Sequence, residues 1–260
     1  MTDTAPRLTR IRPGLSLVLS ALVLCACQPS GALLQDMAER RASPELPQTI
    51  PVMNQFGAAR ATPPSQSNAQ IAADFIALSF QMESGREIDR LSRFEGPITI
   101  AVTPGAPASL IPDLDRLIGR LRQEARIDIR RVPHGPEAAG ITVETLPRDR
   151  MQRMVPEAAC FVVPRVTSWA EFRRARNTRD MDWTTLDQRD HVTVFLPNDV
   201  APQEVRDCLH EEVSQALGPL NDLYRLQDSI FNDDNFHAVL TGYDMLILRA
   251  YYDGALRAGM

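Results

Sequence analysis

The stretch from Cys208 to Asp222, Cys-Leu-His-Glu-Glu-Val-Ser-Gln-Ala-Leu-Gly-Pro-Leu-Asn-Asp, constrains this chain more than any other. Val205, Cys208, Leu209, Val213, Ala216 and Leu217 recur at helical spacing and give one apolar face. Pro202 and Glu204 suit a first turn, where amides lack partners and the dipole end is positive. Gly218 and Pro219 end the helix, the glycine as a left-handed cap and the proline because it cannot extend the ladder. An amphipathic helix of this kind must be buried against a sheet or other helices.

The same helix carries chemistry-bearing side chains. His210 and Glu211 open the pattern His-Glu-x-x-His, in which two imidazoles one turn apart hold an ion and the Glu activates its bound water. Gln215 is taken as the second imidazole place. His210, Ser214 and Gln215, at i, i+4 and i+5, are expected on one side of the helix, roughly 6 to 7.5 Å apart along its axis, able to share one small site. The alternative is a buried, hydrogen-bonded histidine beside a capping or ion-pairing glutamate.

Arg7, Arg10 and Arg12 precede an apolar run from Leu15 to Ala26, the layout of a secretion signal over residues 1–26. The run is about a dozen residues, short of the ~20 needed to span a bilayer as a helix. Its end, Leu24-Cys25-Ala26-Cys27, resembles the bacterial lipobox, which implies cleavage before Cys27 and lipid on that residue. An ordinary signal peptide with incidental cysteines is the alternative. Gln28 offers no acidic inner-membrane retention signal, so the expected place is the outer membrane, facing the periplasm. Acyl chains contribute ~0.8 kcal/mol per buried methylene, so two or three hold a protein at a surface without a spanning helix. Prolines at 29, 44, 47, 51, 63 and 64 make residues 27–68 a tether, with at most a short helix around Leu33 to Arg41. Residues 69–260 are expected to form one globular domain.

Removing residues 1–26, which hold three arginines and Asp3, lowers the formal net charge from −5 to −7. An acidic chain is a poor nucleic-acid binder, so no such partner is expected. All 28 basic side chains are arginine. Without lysine there is no Schiff-base chemistry and no phosphate-loop lysine. No Gly-x-Ser-x-Gly elbow occurs. With Cys25 lost and Cys27 acylated, Cys160 and Cys208 remain as a disulfide pair in an oxidising compartment, two buried thiols being the alternative.

Five strands are expected: Ile98–Val102, Ile127–Val132, Ile141–Leu146, Cys160–Val163 and His191–Leu196. Leu110, Leu114, Leu117, Ile118 and Leu121 give a helix packing on the sheet. Trp169 and Phe172 suggest a short helix or an aromatic-packed loop, and the arginine-rich segment 173–190 reads as a surface excursion. The class is α+β, with a mixed sheet of about five strands, a packing helix, the His210 helix and a C-terminal helix.

Taken in this order, residues 98–253 resemble the zincin metalloproteases, particularly the metzincin branch. That branch carries His-Glu-x-x-His-x-x-Gly-x-x-His or Asp, and His210, Glu211, Gly218 and Asn221-Asp222 fall at or beside its places. Asp228-Ser-Ile-Phe-Asn232 resembles its Ser-Ile-Met turn, with Phe231 at the methionine position. Tyr243-Asp-Met-Leu-Ile-Leu-Arg-Ala-Tyr-Tyr-Asp253 is similar to the Tyr-Asp-Ile helix that follows. Roughly residues 70–255 also resemble an uncharacterised bacterial lipoprotein family, domain of unknown function 2927, for which Asp207-Cys-Leu-His-Glu-Glu, Gln-Ala-Leu-Gly and Ser-Ile-Phe-Asn-Asp are typical.

The zincin resemblance implies Zn2+ held by His210 with Gln215, Asn221 or Asp222, and Glu211 as general base. An amide oxygen is a weak zinc donor, so Glu212, Asp233, Asp234 or His237 are the residues that could compensate. The loop Phe231–His237 is otherwise a solvated turn. Two functions are expected: a membrane-tethered zinc peptidase, or a catalytically silent zincin-fold lipoprotein that binds a peptide or protein, or shapes the envelope.

Overall fold

Isoleucine and valine fill the sheet. The computed structural model describes the backbone of residues 39–41 together with residues 65–135 and 139–260. The expected signal segment, Cys27 and most of the expected tether lie outside the described residues. Among the described residues no helix is long and apolar enough to cross a membrane.

All five expected strands form: β2 (Ile98–Val102), β3 (Ile129–Arg131), β4 (Ile141–Leu146), β5 (Ala158–Pro164) and β6 (Val192–Pro197). A sixth, β1 (Glu39–Arg41), comes from the segment expected as a tether, where a short helix was the only element foreseen. The sheet order is β1-β5-β6-β4-β2-β3. Strands β3, β2, β4 and β6 run parallel to their neighbours, while β5 is antiparallel to β6 and β1 antiparallel to β5. The sheet is therefore mixed, and the fold is α+β.

Helix α1 (Asn68–Ser79) opens on a capping box between Ser67 and Gln70. Helix α2 (Leu110–Gln123) buries Leu110, Leu114, Leu117, Ile118 and Leu121, the predicted stripe. Short α3 (Arg148–Gln152) and α4 (Trp169–Ala175) flank β5, and α5 (Pro202–Leu217) and α6 (Gly242–Tyr251) complete the set. Alternation along β5 separates two cores: Cys160 and Val162 face α2 and α5, while Phe161 and Val163 join Trp169, Phe172 and Phe195 on the other side. The aromatic rings of that second cluster lie 5.1 to 6.3 Å apart, within the range where tilted and edge-on contacts are favourable.

The arginine-rich segment is no surface excursion. It folds into two 3-10 turns, Arg179–Met181 and Trp183–Thr185, that bury Met181, Trp183 and Leu186. It then delivers Arg189 into the core. The Arg189 guanidinium lies 4.8 Å over the Trp183 ring and donates to the carbonyls of Gln215, Ala216 and Gly218. Gln215 O also takes the Gly218 N–H, the carbonyls of Ala216 and Gly218 lie beyond the last intrahelical bond, and the negative dipole end favours a cation there.

Gly218 follows a different logic from the one its sequence suggests. Its φ of −176° is extended, so no left-handed cap forms. The glycine is required because a Cβ there would lie 2.7 to 2.8 Å from the Tyr251 ring, which is fully buried and donates its hydroxyl to Ser92 O.

Candidate functional site

Helix α5 begins, as expected, with Pro202 in its first turn and an acidic Glu204 beside it. From Leu209 to Leu217 every residue is buried, so His210, Glu211, Glu212, Ser214 and Gln215 are core residues. The Cys160–Cys208 disulfide forms, with Cα atoms 5.9 Å apart, and ties the middle of α5 to β5.

His210 and Gln215 do not converge. Five residues correspond to about 500° of helical rotation, which leaves them ~140° apart around the axis. Ring nitrogen Nδ1 of His210 accepts from the backbone N–H of Leu240 at 3.1 Å, whereas Gln215 Nε2 donates to Glu83 Oε1 at 3.2 Å. Ser214, the residue four places after His210, donates its hydroxyl to Glu211 O. Counting back from Gly218 in the metzincin spacing places Glu211, Gln215 and Asn221 at the three ligand positions and Glu212 at the base position. His210 falls outside that frame. The signal that finds the correct frame is the seven-residue step from Glu211 to Gly218.

Asn221 donates to Ala77 O at 2.9 Å, which fastens the chain after α5 to α1. Asp222 accepts from the Asp233 N–H at 2.9 Å. Its pKa is pushed up to about 6, first by burial and then by the charge of Asp233. His237 stands 3.3 Å from Asp228 and belongs to a turn of side-chain-to-backbone bonds built by Asn232 and Asn235. The loop is thus a self-bonded turn.

The Ser-Ile-Phe turn and the Tyr-Asp helix are one unit. Asp244 is fully buried and accepts from Ser229 Oγ, the Ile230 N–H and the Thr241 N–H, while Thr241 caps α6 in return. Burial raises the Asp244 pKa, against the hydrogen bonds that favour its charged form. The two motifs occur together because one carboxylate ties the turn to the helix.

The residues do not fit zinc. A ligand histidine ordinarily donates from its second ring nitrogen, which leaves the other lone pair for the metal. His210 instead accepts at Nδ1, so its neutral ring carries the proton on Nε2. Burial, followed by the charges of Arg120, Arg206 and Arg116, depresses its pKa to about 3. The positive field that disfavours a proton also disfavours a divalent ion. Arg120 fixes the same loop from the other side, donating to Leu240 O at 2.6 Å. Among the described residues no three His, Cys, Asp or Glu side chains form a group able to hold a metal ion.

A family model described as "Protein of unknown function (DUF2927)" matches residues 68–260. None of the curated proteins matches the chain.

Proposed function

The chain belongs to the DUF2927 family, and from that premise we propose that it is a lipid-anchored cell-envelope protein whose α+β domain binds an extended peptide or protein segment without hydrolysing it. The observation that carries the proposal is the polarity of His210. A ring that accepts at Nδ1 in a field of three arginines is a structural histidine, which withdraws the one imidazole on α5 from metal binding and leaves only carboxylate and amide groups at the ligand positions of the frame. Gln215 and Asn221 spend their amide N–H groups on Glu83 and Ala77 O, as spacers between α5, α1 and the loops. The anchor rests on the Leu24-Cys25-Ala26-Cys27 sequence. On this reading the anchored domain belongs to the outer membrane, facing the periplasm, a choice supported by Gln28 in place of an acidic retention signal.

The test has two arms. Replacing Cys27 by Ser is expected to move the protein from the membrane to the soluble fraction; an unchanged membrane fraction overturns the anchor. Full-length protein given zinc is expected to leave extended peptides uncut. Cleavage that disappears in His210→Ala and Glu211→Gln variants would restore the zinc-peptidase assignment.

A further inference from the structure

The sheet divides the charge of the domain as well as its core. Met151 of α3, Trp169 and Phe172 of α4 and Met181 of the Arg179–Met181 turn all enter the aromatic cluster on one side of β5. The outward sides of these elements therefore form one surface. Between Arg148 and Arg179 the sequence carries eight arginines and three acids, with Asp180 next, in a chain of formal net charge −5. Arg150, Arg153, Arg173, Arg174 and Arg179 are exposed, and Arg176 is half-buried. Arg153 pairs with Asp149, one turn back on α3, and Arg150 lies 5.9 Å over the Trp169 ring. Arg150, Arg173, Arg174, Arg176 and Arg179 form no ion pair among the described residues.

On the far side of the sheet, Leu226, Ile230 and Phe231 hold the Asp222–His237 loop against the larger core. That loop exposes Asp228 and Asp234. A basic face backed by an acidic loop gives the domain a field that orients it near a charged surface. The arginine face also lacks an apolar anchor. The large hydrophobic side chains exposed among the described residues are Ile76, Tyr224, Phe236 and Met260, none of them on α3, α4 or the turn. A protein interface draws most of its energy from aromatic or aliphatic anchors at its centre, whereas an anionic lipid leaflet attracts arginines through charge alone. Arg122, Arg126 and Arg130 are exposed as well, but they alternate with Glu124 and Asp128 along the chain from α2 to β3.

We propose that the outer face of α3, α4 and the Arg179–Met181 turn is a docking surface for an anionic phospholipid leaflet, and that it turns the Asp222–His237 loop away from the membrane. Each arginine near such a leaflet strengthens binding by about fivefold, so a few unpaired ones hold a domain weakly and reversibly. Weak contact is enough when an acyl chain at Cys27 already confines the domain, because tethering raises the effective concentration of the surface. The anchor retains the domain and the arginines orient it. This rests on the anchor proposed above and adds an orientation to it.

The experiment uses full-length Cys27→Ser chain, which carries no lipid, sedimented with phosphatidylcholine vesicles that contain or lack phosphatidylglycerol. Phosphatidylglycerol is expected to raise binding by about tenfold or more, and high salt to abolish the gain. Arg173→Gln, Arg174→Gln, Arg176→Gln and Arg179→Gln together are expected to lose about tenfold or more of it, whereas Arg→Lys at the same positions keeps it within about twofold. Arg122→Gln, Arg126→Gln and Arg130→Gln together remove exposed arginines from elsewhere and are expected to change binding by less than about twofold. No preference for phosphatidylglycerol, equal losses in the two glutamine sets, or a lysine set as weak as its glutamine counterpart overturns the proposal. A salt wash of cell membranes tests the anchor separately, since it releases the arginine contact and not an acyl chain. If the unsubstituted chain and the Cys27→Ser chain both wash off, the anchor falls, and the vesicle results still decide the arginine face.

Discussion

The Leu240 N–H donates to His210 Nδ1 across 3.1 Å, and Arg120 holds the carbonyl of the same residue. The imidazole is thus locked neutral. Its folded pKa of about 3 lies below the ordinary 6.5, so between those values the unfolded chain binds more protons. Stability from His210 is complete above pH 6.5 and drains away as pH falls toward 3. His210→Asn keeps an acceptor near the Nδ1 position and cannot titrate. Urea melts across pH 3 to 7 are expected to show the variant less sensitive to acid than the parent; identical slopes would refute a buried neutral histidine.

Asp222 works in the opposite sense. Its pKa is raised from 3.8 to about 6, so its contribution is complete below 3.8 and lost as pH rises through 6. Between those values it offsets part of the His210 slope. Asp222→Asn removes the titration while keeping an oxygen for the Asp233 N–H. The variant is expected to gain stability relative to the parent at pH 7, where the parent's carboxylate is charged, and less at pH 4. A constant difference across that range would place the carboxylate in solvent.

The disulfide closes a loop of 48 residues in sequence separation, from β5 to α5. Loop-closure entropy for that length is about 4 kcal/mol at 25 °C. Reduction, or Cys160→Ala with Cys208→Ala, is expected to lower unfolding stability by about that amount. It should also speed amide exchange along β5, because β5 is then held to α5 only by packing. A loss under about 1 kcal/mol would show that packing alone fixes β5 against α5.

Much of the sheet was legible in the sequence because its strands alternate or run apolar over five or more residues. The helix bearing His210 was legible from its apolar stripe and its terminal proline and glycine. What escaped depended on distant partners. Glu39–Arg41 has neither period nor apolar content, and its strand is visible only in its pairing with β5. Arg189 sits in a polar run that looks solvated, and its reason to be buried is the end of a helix that starts thirteen residues later. Ser229 and Asp244 read as two separate resemblances, yet they are joined by one hydrogen bond. The candidate metal site was misplaced by one residue: His210 drew the frame, whereas Gly218 counts back to Glu211.

Gly218 reports on the close approach of α5 and α6. An alanine Cβ would meet the Tyr251 ring at 2.7 Å, and that ring is held by its hydroxyl bond to Ser92 O. Overpacking of this sort costs about 1 to 3 kcal/mol. Gly218→Ala is expected to destabilise by that much in the parent and by clearly less on a Tyr251→Leu background. Additive losses would place the cost in the backbone instead of the contact.

Arg189 gives the sharpest test of how α5 ends. Its guanidinium is fully buried, its pKa is lowered by desolvation, and its hydrogen bonds go to Ser92 Oγ and to three carbonyls at the helix terminus. Deleting the donor leaves buried acceptors unpaired, at ~1 to 3 kcal/mol for each group left so. Arg189→Met is therefore expected to destabilise by about 3 kcal/mol or more and to alter Trp183 emission, since the cation leaves the ring face. Arg189→Lys keeps the charge but lacks the planar fork, so it can satisfy the carbonyls only in part. Its stability is expected to fall between the parent and the methionine variant. If lysine matched arginine, the charge at the helix dipole would be the whole contribution and the directed hydrogen bonds would add nothing.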